Sequence, residues 1–119
     1  MIKKGGKKLR PTRFYSNRQE KHIAKVTNGK QTANSGATAF SKGDIRTDQF
    51  LIEAKTCMSE KQSFSIKKEW LLKNEEEKFA MGKEYSALAF DFGDGVNYYI
   101  ISEKLFLKLI TLLKQEEEE

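Results

Sequence analysis

One cysteine, Cys57, and one histidine, His22, are all the chain offers of the residue types that build zinc sites and disulfides. An internal disulfide needs two cysteines, and a Cys/His zinc centre needs four ligands, so both are excluded. Any metal must be held mainly by oxygen, which favours hard cations such as Mg²⁺ or Mn²⁺. Long apolar runs are also missing. No stretch approaches the ~20 residues of a membrane span, and the Lys-rich N-terminus does not lead into the apolar segment of a signal peptide. No membrane association and a cytoplasmic location are therefore expected. The 119 residues match one ordinary domain with a single core.

What is present is charge, and its position says more than its total. Residues 1–30 hold ten Lys/Arg and one acid, a local +9, so the remaining 89 residues sum to −4 within the net +5. The run Lys3-Lys4-Gly-Gly-Lys7-Lys8-Leu-Arg10-Pro-Thr-Arg13 suits an arm that neutralises phosphates, with affinity that falls steeply with salt. Residues 1–15 are read as this basic, flexible arm, residues 16–115 as the domain, and 116–119 as a frayed acidic tail.

Ser16-Asn-Arg-Gln19 has the form of a capping box and Asn28-Gly29 that of a helix stop, which predicts a helix near 17–28. Glu20, Ile23, Ala24 and Thr27 share its inward stripe, so this carboxylate needs a partner: a salt bridge, or a metal as an acidic ligand. Residues 31–41 are small and polar, with Ser35-Gly36-Ala37-Thr38 suited to close approach of a backbone or ligand. Residues 43–56 read as a hairpin. A turn centred on Thr47-Asp48 sets Asp44 opposite Leu51. Asp44, Leu51, Glu53 and Lys55 then face one way, and Ile45, Phe50, Ile52 and Ala54 face the core. In that register Asp44 and Glu53 are diagonal neighbours roughly 7–8 Å apart, a gap that two carboxylates bridge by sharing a cation. Asp48 is a turn former.

A polar connection, Ser59 to Ser65, precedes an amphipathic segment from Ile66 to Met81 that Gly82 ends, the longest helix expected. Tyr85 to Phe90 and Val96 to Ile101 read as strands joined around Asp94-Gly95, a hairpin-turn signal. Ser102 caps a last helix, Glu103 to Lys114, with Leu105, Leu109 and Leu112 or Leu113 as its apolar stripe. The result is an α/β fold: a mixed sheet flanked by helices, with no internal repeat.

Glu20 in the first helix, Ser35-Gly36, Lys42-Gly43-Asp44 and Glu53-Ala54-Lys55 follow one another in an order and at a spacing that resemble the PD-(D/E)xK nuclease superfamily, and within it the small Holliday junction resolvases of archaea and phages. The likeness covers most of residues 16–101. Gly43 stands where the name-giving motif has Pro, a common variation. The resemblance implies a restriction-endonuclease-like fold and a Mg²⁺-dependent endodeoxyribonuclease, with Mn²⁺ as a substitute. By that resemblance Asp44 and Glu53 bind one or two metal ions, helped by Glu20 and the Ala54 carbonyl, and Lys55 orients the attacking water or steadies the developing phosphate charge. It implies Ser35 and Lys67 as contacts to the scissile region, and Arg18 and Lys42 join the arm as DNA-contacting candidates. For a phage-encoded member, the cytoplasm is that of the host.

Resolving a junction takes two symmetric cuts, so a homodimer on branched DNA is expected. Trp70, Leu71 and the Phe106-Leu109-Leu113 side of the last helix are apolar candidates for its interface, though such residues are more often core. Three alternatives accompany this reading: another flap, single-strand or duplex nuclease of the same fold; a non-catalytic DNA-binding protein; and a protein that inhibits or adapts another machine.

Overall fold

The computed structural model describes residues 12–32 and 44–118, with the side chains of Thr12 and Arg13 outside that set. The first helix, α1 (Thr12–Thr27), leads through Asn28 and Gly29 into a two-residue strand, β1 (Lys30–Gln31). Next come β2 (Asp44–Arg46) and β3 (Phe50–Thr56), then α2 (Lys68–Ala80), β4 (Tyr85–Asp91), β5 (Asn97–Ile100) and α3 (Glu103–Glu118). The strands form one sheet in chain order, β1-β2-β3-β4-β5. β3 and β4 pair in parallel, and the other neighbours are antiparallel. The mixed α/β architecture expected from the sequence is the one observed. A parallel pair needs a crossover, and α2 supplies it.

α1 and α2 cover opposite faces of the sheet. On one face Ile23 of α1 packs with Ile45, Ile52, Ala87 and Ala89, all buried. On the other, α2 contacts β3 and β4, and buried Asn74 donates through Nδ2 to the Ala87 carbonyl at 3.1 Å. Alternation along β3 sends Ile52 to the first face and Leu51 and Glu53 to the second. β3 is thus paired on both edges and covered on both sides.

Several boundaries differ from expectation for local physical reasons. α1 begins at Thr12, so the end of the expected arm is helical, and Gln19 is no capping residue: its Nε2 donates to the Lys55 carbonyl at 2.8 Å and to Asn97 Oδ1 at 2.9 Å. The helix does end as expected, with Asn28 in the left-handed region at φ 56°. α2 has 13 residues and is shorter than α1 and α3, because Lys67 before it is extended at φ −87°, ψ 130°. The β4–β5 loop is wider than a two-residue turn. Asp91 pairs with Asn97, and Asp91 Oδ1 accepts from the amides of Gly93 and Gly95, which adopt φ 102° and 85°. Gly93 is required twice over, since a Cβ there would lie 2.4 Å from the Ser59 carbonyl oxygen.

The acidic run expected as a frayed tail is helical through Glu118. The apolar stripe of α3, expected to be core, is mostly outside it: Leu105 is buried, but Phe106, Leu109, Ile110 and Leu113 are 54%, 40%, 38% and 61% exposed. Among the described residues no helix is long and apolar enough to cross a membrane.

Candidate active site

The turn between β2 and β3 sets the register of the site. The Thr47 amide donates to the Phe50 carbonyl at 3.0 Å, and Thr47 Oγ1 accepts from the Phe50 amide at 2.9 Å. Arg46 therefore faces Leu51, Ile45 faces Ile52 and Asp44 faces Glu53. The expected pairing of Asp44 with Leu51 is corrected by two residues, because the turn closed by Thr47 and Phe50 is centred on Asp48-Gln49, one residue beyond Thr47-Asp48. A shift of two preserves side-chain parity. Asp44, Glu53 and Lys55 still share a face, and the carboxylates are directly opposed rather than diagonal, a relation that sets Cβ atoms ~4.5–5.5 Å apart. Asp48 is exposed within the turn, as expected.

Glu53 is 2% exposed. Its Oε2 meets Lys55 Nζ at 3.0 Å, while its Oε1 is buried with no hydrogen-bond partner among the described residues. A buried carboxylate with one cation and one unsatisfied oxygen is costly, since little water reaches it to replace the lost solvation. Lys55 is held from a second side: its Nζ lies 4.4 Å from the ring centroid of Trp70 on α2. An ammonium over an indole face is stabilised by the ring quadrupole. Lys67, at the start of α2, reaches the same ring at 5.8 Å. Trp70 is braced in turn by Phe64, 6.4 Å away, which also packs on Phe90.

These groups open onto a cleft of about 470 Å³ between β3 and α2, lined by Glu53, Lys55, Glu69, Trp70, Leu72, Lys73 and Glu76. Glu69, Lys73 and Glu76 were not anticipated from the sequence. Their i, i+4, i+7 spacing puts them on one side of a helix, but that pattern does not say that the side lies over β3. Trp70, expected at an interface or in the core, instead contacts the lysine of the site.

The remaining expected residues are placed differently. Glu20 is 8% exposed, and its Oε1 accepts from Gln31 Nε2 at 3.2 Å. Gln31 pairs with Ile45, so it lies on the α1 side of the sheet, away from the face that carries Glu53. Among the described residues no group of three or more His, Cys, Asp or Glu side chains is gathered to hold a metal ion. The structure thus brings Asp44, Glu53 and Lys55 together and leaves Glu20 out of a three-carboxylate cluster. Ala54 follows the last described β2–β3 pair, next to Glu53. Arg18 is exposed on α1, with its guanidinium 5.5 Å from the Phe14 ring and 5.6 Å from that of Tyr15, and it lines a separate pocket with His22 and Asp94. Lys3, Lys4, Lys7, Lys8, Arg10, Ser35 and Lys42 lie outside the described residues, as does the side chain of Arg13.

Desolvation raises the Cys57 thiol above its ordinary value; Lys61 opposes the shift and Asp91 adds to it. The thiolate that a nucleophilic cysteine needs is therefore disfavoured. Compared with protein-family models, with curated protein sequences and with solved structures, the chain finds no significant match.

Proposed function

We propose that the chain is a Mg²⁺-dependent endodeoxyribonuclease acting on branched DNA as a Holliday junction resolvase, with Asp44, Glu53 and Lys55 as its working residues. The observation that carries this reading is Glu53: a buried carboxylate, opposed by Asp44 across the strand pair, with an oxygen that no hydrogen bond from the described residues satisfies. Oxygen donors arranged in this way fit a hard divalent cation, held by Asp44, Glu53 and the neighbouring Ala54 carbonyl, with Mn²⁺ as a substitute. Mg²⁺ would supply Lewis-acid polarisation of the phosphoryl group and a lowered pKa for its water. Lys55, fixed between Glu53 and the Trp70 ring, sets a positive charge where phosphodiester hydrolysis develops negative charge. Lys73 lines the same cleft together with Glu69 and Glu76, Lys67 lies by the Trp70 ring, and the basic N-terminal sequence adds attraction to the DNA backbone that carries no sequence preference. Glu20 serves the contact between α1 and β1 in this reading.

The test uses the full chain with labelled four-way junction, flap and linear duplex, in Mg²⁺, in Mn²⁺ and in chelator. Paired symmetric nicks in the junction are expected with either metal. They should vanish in chelator and in Asp44→Asn and Glu53→Gln, which keep side-chain volume. Cleavage that persists in chelator or in either variant overturns the metal-nuclease reading, and so does binding without any cleavage. Equal cutting of duplex and junction would retain the chemistry and remove the resolvase assignment.

A further inference from the structure

We propose that the end of the sheet at the β2–β3 turn carries a phosphate-binding track, Lys30, Arg46 and Lys83 extended by Lys104 and Lys108, which grips a nucleic-acid backbone apart from the cleft at Glu53. The track starts from two like charges set against each other. Lys30 of β1 and Arg46 of β2 are directly opposed across the antiparallel pair, and both are exposed. Like charges in that relation destabilise a strand pair. Among the described residues neither has an ion-pair partner, and residues 33–43, between the two strands, contain no Asp or Glu. The pair is also held closely: a Cβ on Gly29 would lie 2.8 Å from the Arg46 carbonyl oxygen, so the chain entering Lys30 is pressed against β2. Thr47 adds a donor beside them. Its Oγ1 accepts from the Gln49 and Phe50 amides at 3.2 and 2.9 Å, which leaves the hydroxyl hydrogen to donate to an anion.

Extent and charge select the occupant. Lys83 joins two cavities, one of about 640 Å³ that holds Lys30, Arg46 and Asp48, and one of about 450 Å³ that holds Lys78, Lys104 and Lys108 with Glu75 and Glu84. Six cations meet three carboxylates there, and Glu75 is already engaged by Lys78 and Ser86. The cleft at Glu53 has the opposite balance, Lys55 and Lys73 against Glu53, Glu69 and Glu76, so the surplus belongs to this end of the sheet and not to the surface at large. A row of cations through two cavities matches a chain of phosphates, which each DNA strand presents every ~3.4 Å, better than a single small anion. Gln49 in the turn is four residues from Glu53, ~13 Å along the strand, so a phosphate held here is not the one at the cleft. The inference rests on the reading above for its choice of DNA, and not on cleavage.

Binding of the full chain to labelled duplex and four-way junction is measured in chelator across a salt series, where cleavage plays no part and failure of the nuclease chemistry leaves the result readable. Arg46→Gln with Lys83→Gln should weaken binding about fifty-fold near 0.1 M salt and lower the slope of log affinity against log salt by about two. Lys21→Gln with Lys114→Gln removes the same charge from exposed sites on α1 and α3 and should cost no more than about three-fold. Lys30→Glu gives Arg46 a partner of opposite sign, so it should raise the urea midpoint while weakening DNA binding, a split that a merely structural role would not produce. Unchanged affinity and slope in Arg46→Gln with Lys83→Gln overturn the track, and so does an equal loss in Lys21→Gln with Lys114→Gln. Polyglutamate that binds as tightly as duplex at equal charge overturns the choice of a nucleic acid.

Discussion

The two faces of the sheet are built to different rules, and β3 shows the contrast residue by residue. On the α1 face Ile52 sits at 3% exposure among Ile23, Ile45, Ala87 and Ala89, an apolar surface that stabilises through burial alone. One residue along, on the α2 face, Glu53 is as deeply buried and among the described residues is matched by Lys55, which lies over the Trp70 ring. The same helix holds further buried polar groups, Asn74 and Lys78. The α1 face holds the fold together, and the α2 face gives up some of that stability to keep a carboxylate and an ammonium in place. Such a trade is common where function needs groups that folding alone would not bury.

The contrast is most directly broken by substituting adjacent residues. Ile52→Ala should cost about 2–5 kcal/mol of stability, read as a lowered urea midpoint, by leaving a cavity in the α1-face core. Glu53→Gln should leave the midpoint unchanged or raise it, because it removes a buried charge and releases Lys55, which is 28% exposed, to water. The same variant should lose cleavage by roughly a hundred-fold or more. If Glu53→Gln destabilised as much as Ile52→Ala, the two faces would be equivalent structural surfaces.

A smaller effect is expected at Trp70. Removing the ring in Trp70→Ala frees Lys55 on one side and should lower the single-turnover rate about ten-fold with little change in DNA affinity, whereas Trp70→Phe, which keeps a π face, should retain most of the rate. Equal losses in both variants would point to packing against Phe64 instead.

The smallest effect sharpens the contrast at the rim of the α2 face. The Glu75 carboxyl is held below its ordinary value first by the hydrogen bond from Lys78 Nζ at 2.7 Å and then by Ser86 Oγ at 2.6 Å. A carboxylate whose folded value is depressed contributes stability above its unfolded pKa and loses it as pH falls through the folded value. Stability should therefore decline on acidification below the ordinary carboxylate range, and Glu75→Gln should flatten part of that decline in urea titrations across it. The effect is modest because Glu75 is 47% exposed. An unchanged acid limb would remove this pair from the account.

Much of this arrangement was legible in the residues, and what was not shares a cause. The strand pairs, the helix between them and the common face of Asp44, Glu53 and Lys55 followed from local alternation, which a register shift of two leaves intact. The parallel pairing of β3 with β4 is a long-range contact that no local pattern encodes, and the position of Trp70 over Lys55 depends on it. Glu20 shows the limit of a helical stripe: periodicity says that the residue points inward, not which side of the sheet it reaches. α3 shows the same limit in reverse. Its stripe is real, but spacing alone does not say whether an apolar face closes on its own chain.

The place of β3 in the middle of the sheet also bears on motion. A strand hydrogen-bonded on both edges and covered on both faces belongs to the part of a protein that opens last, while edge strands, connections and helix ends open at little cost. Glu53 and Lys55 ride on that slow-opening strand, and Glu69, Trp70, Lys73 and Glu76 of α2 form the cleft's other wall. On the nuclease reading proposed above, substrate entry through the opening of helix ends and connections leaves the carboxylate of β3 in place, so that entry and precision fall on different timescales.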